Sequence, residues 1–393
     1  MKKRYKGAKM GEKGRKGEKR DDSPSSPPSI KTLHYSRPLS RGSKSPLSLP
    51  FKPFKPYGWV RVCPYRGGNN SLECYRSPLG GRRGGLLKHN NMDDTHVKQN
   101  SWKAWLLAAR PKTLTGAAVP VMIGAALAIS DAQSQVRIVP MVLCFLFAFV
   151  MQIDANFVND YFDYRKGTDD EQRLGPKRAC AQGWVTPSAM RKALAITTVL
   201  ACLIGLPLIY YGGWEMVGVG LLCVLFCFLY TTHLSYVGLG DLLVLLFFGV
   251  VPVTLTYYLS LPDGFQFITL ECLLASVACG LVIDTLLVIN NYRDIDNDRR
   301  TGKHTLIVAI GERWGRLLYL ALGVVACLIG CAFILYGHFW ATWLPIIAYQ
   351  PLHVSTFVEM RRIGKGERLN RVLGMTARNM FVYGLAVAIG FLL

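Results

Sequence analysis

From Leu114 onward the chain alternates long apolar runs with shorter polar connections. Runs of about 17–25 apolar residues have the length at which an α-helix crosses a bilayer. Nine are legible, over residues 114–130, 138–160, 193–211, 214–231, 239–261, 266–290, 315–336, 339–353 and 375–393. The eighth is short and contains Pro345, which makes it the weakest of the nine patterns. The expectation is an all-α polytopic membrane protein, a bundle of nine transmembrane helices.

The polar connections test that count. Arg165, Lys166, Arg173, Lys177, Arg178, Arg191 and Lys192 crowd residues 163–192, and similar groups fill 291–316 and 354–378. With nine spans, all of these fall on one side together with Lys103, Arg110 and Lys112, and only Arg137 falls on the other. The positive-inside rule then puts the N-terminus and the basic loops in the cytoplasm and the C-terminus outside. An even count would break the alternation.

Charge also divides the chain. Residues 1–100 hold 23 Lys/Arg against 7 Asp/Glu, a net +16 of the total +21, which leaves +5 for residues 101–393. The first hundred residues are rich in Lys, Gly, Ser and Pro without apolar period, a composition expected to form a basic, disordered extension. Three readings of it stand open: an arm for anionic lipid or nucleic acid, an organelle transit segment, or translation that starts at Met92. Glu12, Glu18, Asp21 and Asp22 count against the transit reading. No folded recognition module accompanies the charge, so nucleic acid is not an expected partner. The eleven cysteines contain no C-x-x-C and sit mostly inside apolar runs, as small hydrophobes do.

Candidate chemistry lies at the ends of two apolar runs. The first cluster is N-F-V-N-D-Y-F-D, Asn156 to Asp163, and the second is N-N-Y-R-D-I-D-N-D, Asn290 to Asp298. Carboxylates near membrane depth cost about 2.5–3.5 kcal/mol each, so retaining several points to function. Asn156, Asp160 and Asp163 share one helix face, and Asn290, Asp294 and Asp298 repeat the pattern. Two such stripes facing each other would cage a hard divalent cation and a phosphate group. Arg173 to Arg178 (R-L-G-P-K-R) and Thr301 to Lys303 follow with cations, and such ions would make a diphosphate a good leaving group. The blander reading, acids paired with loop arginines at the interface, suits any single Asp better than two matched clusters. The two clusters lie four spans apart, a hint of internal duplication. The histidines are scattered, and no serine or cysteine nucleophile constellation is present.

The stretch N-D-Y-F-D-Y-R-K-G-T-D (Asn159 to Asp169) with R-L-G-P-K-R resembles the first motif of the UbiA superfamily of intramembrane aromatic prenyltransferases. Asn290 to Leu306 resembles its second. Ala109 to Leu114 (A-R-P-K-T-L) and Tyr236 to Asp241 (Y-V-G-L-G-D) are similar to the branch that prenylates 1,4-dihydroxy-2-naphthoate in menaquinone synthesis. The resemblance covers residues 101–393 and implies one transmembrane prenyltransferase domain there, in a bacterial cytoplasmic (inner) membrane. It implies that Asn156, Asp160 and Asp163 bind one Mg²⁺ and that Asp294 and Asp298 bind a second. The four aspartates would be catalytic, by holding the diphosphate of an all-trans polyprenyl donor. Lys112, Asn156, Asn159, Arg173, Arg178, Asn290, Asn291 and Lys303 would contact substrate. An allylic cation would then be attacked by the naphthoate ring at its carboxyl-bearing carbon, with loss of CO₂. Two features depart from the branch. The Tyr230–Asp241 loop is shorter, and Asp296, at +2 from Asp294, points off the shared face. Another acceptor such as 4-hydroxybenzoate remains open, as does a cation-coupled transporter using Asp154, Asp160 and Asp284.

Overall fold

The computed structural model describes residues 97–133, 135–167 and 173–393. The expected basic extension therefore lies, but for residues 97–100, outside the described residues. Among the described residues every regular element is helical. In chain order they are α1 (Trp102–Ala109), α2 (Leu114–Asp131), α3 (Ile138–Lys166), α4 (Pro187–Gly205), α5 (Leu208–Gly212), α6 (Glu215–Thr232), α7 (Gly240–Val244) and α8 (Val251–Ser260). There follow α9 (Leu270–Arg293), α10 (Ile295–Arg300), α11 (Leu306–Gly330), α12 (Phe339–Ala348), α13 (Gln350–Ile363) and α14 (Leu369–Leu392).

Among the described residues, eight helical segments are long and apolar enough to cross a membrane. The ninth crossing is α12 continued by α13. Tyr349 between them keeps helical backbone angles, its N–H donates to Pro345 O, and His353 N–H donates to Tyr349 O, both at 2.9 Å. Pro351 in the first turn of α13 removes a donor, so the helix bends without ending. The protein is thus an integral membrane bundle with nine crossings among the described residues. The eighth span reaches Ile363 rather than 353, because the Glu359–Arg362 turn is helical but too polar for hydropathy to reveal.

Local chemistry sets the helix starts. Ser101, Thr186, Thr269 and Thr305 each accept, through the side-chain hydroxyl, a backbone N–H of the helix that follows. Before Pro252 the backbone widens into a π turn, Leu245–Val250, which accommodates a residue that cannot donate.

Close packing replaces the hydrophobic drive that lipid cannot supply. A Cβ on Gly124 of α2 would lie 2.4 Å from Val253 O of α8, and one on Gly249 would lie 2.6 Å from Gly280 Cα of α9. These glycines let backbones touch. The main core gathers Val119, Ile123 and Leu127 of α2 with Ala278 and Val282 of α9 and Tyr383 and Val387 of α14. α6 is the opposite case: Thr231 is its only buried residue, so most of its surface faces outward.

Candidate active site

Both acidic clusters lie at the same end of the bundle, at the last turns of α3 and α9 and on α10. On α3 the polar side chains have separate tasks. The Asn156 amide donates to Ala109 O at 3.0 Å and to Thr113 Oγ1 at 2.9 Å, which ties α3 to the turn between α1 and α2. Asp160 is fully buried, and its two oxygens accept from the backbone N–H groups of Ala179 and Cys180, each at 3.0 Å. Arg110 stands 3.6 Å from the same carboxylate. Asp160 therefore anchors the loop that leads into α4.

Asn159 lines the main cavity, with its carbonyl accepting from Thr231 Oγ1 at 2.5 Å. Asp163 is half-buried and pairs with Arg178 at 3.2 Å. Lys166 donates to the carbonyls of Thr231 and Thr232 and sits 3.9 Å from the Tyr236 ring centroid. Asp154, a candidate ion ligand in the transporter reading, accepts from the hydroxyls of Thr197 and Thr198 and links α3 to α4.

Arg293 organises the second cluster. It is 3% exposed and grips Asp294 with Nε at 2.8 Å and Nη2 at 2.6 Å. The same guanidinium donates to Asn290 and to Asn370 of α14, each at 2.8 Å, and Asn370 passes the connection on to Leu174 O. The chain bends at Asp294 between α9 and α10, and this turns Asp298 inward. Asp298 is 5% exposed, and its buried Oδ2 has no hydrogen-bond partner. Burial pushes its carboxyl up to about 6, against the pull of Lys303, Arg173 and Arg293 and with the Asp294 charge adding to the rise. A cation is what such a group needs. Asp296 is exposed and pairs with Lys365 and Arg299, off the inward face as its spacing implied.

A cavity of about 1500 Å³ starts beside these clusters, more than the roughly 300–1,000 Å³ of ordinary small-ligand pockets. Arg110, Lys112, Asn159, Lys177, Asn290 and Arg378 line its polar end. From there it runs along Val121, Cys144, Met216, Leu255 and Leu259, deep in the bundle. Asn291 and Lys303 line a separate small void with Tyr230 and Asp241, beneath the 234–237 turn. Arg173 donates to Pro176 O, and its charge acts on Asp298. Arg110, Lys177, Asn370 and Arg378 line the cavity without an assigned role in the sequence reading. Arg110 and Lys177 stand inside the motifs already quoted, while Asn370 and Arg378 share a face of α14 two turns apart.

A family model described as the UbiA prenyltransferase family matches residues 117–385, and the chain belongs to that family. It is a membrane-embedded prenyltransferase. The chain is 36% identical over 239 residues to a protein of Escherichia coli (strain K12) named 1,4-dihydroxy-2-naphthoate octaprenyltransferase, covering 58% of this chain and 75% of that one. It is 32% identical to the Mycobacterium tuberculosis protein of the same name, covering 73% of this chain and 96% of the relative. Among solved structures, the apo UbiA homolog from Aeropyrum pernix K1 superposes with a TM-score of 0.56 at 16% identity, covering 71% of this chain and 98% of that one. The UbiA homolog from Archaeoglobus fulgidus bound to GPP and Mg²⁺ gives 0.50 at 14% identity, covering 73% and 99%. Both share the fold.

Proposed function

We propose that this protein transfers an all-trans polyprenyl group from its diphosphate to 1,4-dihydroxy-2-naphthoate, releasing CO₂ and diphosphate and giving demethylmenaquinol. The observation that carries this reading is a long apolar cavity whose polar end is lined by cations and by amides that include Asn159 and Asn290, one residue from each acidic cluster. The names of the bacterial relatives support the acceptor.

The donor set fits Mg²⁺, a hard cation that takes oxygen ligands and keeps places for phosphate. The buried Oδ2 of Asp298, without a partner, is the plainest sign of that fit. Asp163 with Asn159 on one side, and Asp294 with Asp298 on the other, would hold the ions. Asn156 can add its Oδ1 to that set, since only its amide nitrogen bonds Ala109 and Thr113, whereas the fully buried Asp160, with both oxygens accepting backbone N–H groups, serves first as an anchor. Asp294 keeps lone pairs beyond its Arg293 bonds, which orient it. When bound, Mg²⁺ supplies charge neutralisation to the departing diphosphate.

The protein's own groups do the rest. Arg110, Lys112, Lys177 and Arg378 at the rim attract the diphosphate and fix its end of the donor. The aliphatic walls hold the chain and keep water from the allylic cation left when the C–O bond breaks. The naphthoate ring forms the new C–C bond at its carboxyl-bearing carbon. The C–CO₂ bond then gives its electron pair back to the ring. The basic loops support a cytoplasmic position for this end and for the N-terminus, in a bacterial inner membrane.

Proteoliposomes given octaprenyl diphosphate, Mg²⁺ and a panel of aromatic acids test the reading. Mass spectrometry should find a decarboxylated naphthol product. Prenylated 4-hydroxybenzoate, with its carboxyl retained and no naphthoate product beside it, would assign the other acceptor.

A further inference from the structure

The end of the bundle away from the acidic clusters holds three ligand-type side chains that the transfer reaction does not use. Asp131 is the last residue of α2, Glu271 lies in the first turn of α9, and His338 precedes α12. One ligand atom from each lies within 4.8 Å of the other two. The 18 residues of α2 separate Asp131 from the cavity rim, about 27 Å at 1.5 Å per residue. This cluster is not part of the active site.

Glu271 makes the cluster more than a set of acids. It is 4% exposed, and its buried Oε1 has no hydrogen-bond partner. The His338 Nε2 faces that oxygen at 3.6 Å, too far for a hydrogen bond. Two carboxylates this close repel unless a proton or a cation lies between them, and among the described residues neither pairs with lysine or arginine. Tetrahedral bonds of about 2.0–2.1 Å place ligand atoms roughly 3.3 Å apart, close to the His338–Glu271 separation. Outer contacts already orient the ligands. The Tyr257 hydroxyl donates to Asp131 Oδ2 at 2.5 Å. The His338 ring meets Phe391 edge-on at 5.1 Å, and its backbone N–H donates to Phe333 O at 3.0 Å.

We propose that Asp131, Glu271 and His338 bind a divalent metal of the zinc type, with water completing its coordination. One imidazole nitrogen and two carboxylate oxygens are a donor set that zinc accepts. The ion joins the outer ends of α2 and α9 to the 337–339 connection, three segments far apart in sequence.

Cobalt(II) absorption on the full-length protein tests this, in nanodiscs with saturating Mg²⁺ to occupy the acidic clusters. Visible d–d bands should saturate at one equivalent of Co²⁺ and disappear when Zn²⁺ is added. Glu271→Gln and His338→Gln should each remove the bands, while Asp294→Asn keeps them. Tyr257→Phe, which deletes only an outer hydroxyl, should weaken binding about tenfold. Zn²⁺ should raise the Tm of the wild type and leave that of His338→Gln unchanged, a readout that survives if one variant expresses poorly. The proposal is overturned if no saturable band appears, or if the bands persist in His338→Gln.

Discussion

Asp160 and Asp163 stand one turn apart on α3, yet one holds two backbone amides and the other pairs with the Arg178 side chain. Asp160→Ala would orphan the two buried amides of Ala179 and Cys180, at a cost of about 1–3 kcal/mol for each buried group. Thermal unfolding in detergent should show a clear loss of Tm, with activity falling as a consequence. Asp163→Asn should abolish transfer while leaving Tm within a few degrees of wild type. Equal Tm losses in the two variants would contradict the division of roles. Asp298 gives a pH dependence whose sign is fixed. Its carboxyl is raised to about 6, so below that pH a proton competes with the metal. Rates measured against Mg²⁺ concentration should show apparent affinity rising as pH increases through about 6. A flat or inverted profile would remove Asp298 from the metal set. The acids themselves were legible, because a carboxylate at the end of an apolar run is costly and rarely accidental. Which of them hold backbone and which stay with side chains was not. At 100° per residue, Asn156 and Asp163 both lie within about 60° of Asp160, so spacing alone assigns all three to one face.

Helix existence was readable from hydropathy, and helix ends were not. α3 continues to Lys166, and α11 begins at Leu306 instead of 315. The extra turn of α3 ends in the polar Asp163–Lys166, and the extra turns of α11 open on Leu306–Ile310, an apolar run too short to count as a span. Thr305 caps α11, and a break at Gly311 (φ 79°) precedes the apolar stretch. The α10 segment that turns Asp298 inward was likewise hidden, because a six-residue stretch with five charged or amide side chains looks like a loop. α6 offers a test of the cavity. Gly220 lines it, and a Cβ there meets nothing within 4 Å. Gly220→Phe should therefore fold normally and narrow the channel. Competition between geranyl and octaprenyl diphosphates should shift several-fold toward the short donor, and an unchanged ratio would mean the chain runs elsewhere.

At the scale of the molecule, large apolar side chains are widely exposed: Ile196, Leu203, Leu221, Leu328 and Ile347 each lie more than half open. On a water-soluble protein such a surface would aggregate, and in a bilayer it is the solvated face. The nine-crossing topology makes Lys177 and Asp263, both exposed, markers for opposite sides. Single cysteines at these positions, in a background without reactive thiols, should label with an impermeant maleimide from opposite faces of sealed vesicles. Labelling from the same face would require a different number of crossings.

The outward-facing α6 has a kinetic consequence. Met216, Gly220, Cys223 and Cys227 of α6 line the cavity while Leu222 and Leu225, which do not, are half exposed, so one helix separates the donor chain from the bilayer. Donor and product then exchange within a two-dimensional solvent, and the concentration that governs turnover is mole fraction in the membrane rather than moles per litre. Adding inert phospholipid at constant total donor should slow the reaction in proportion to the dilution. Adding buffer at a constant lipid-to-donor ratio should leave the turnover per enzyme unchanged, so a rate law in bulk concentration would misstate the enzyme's affinity for its own substrate.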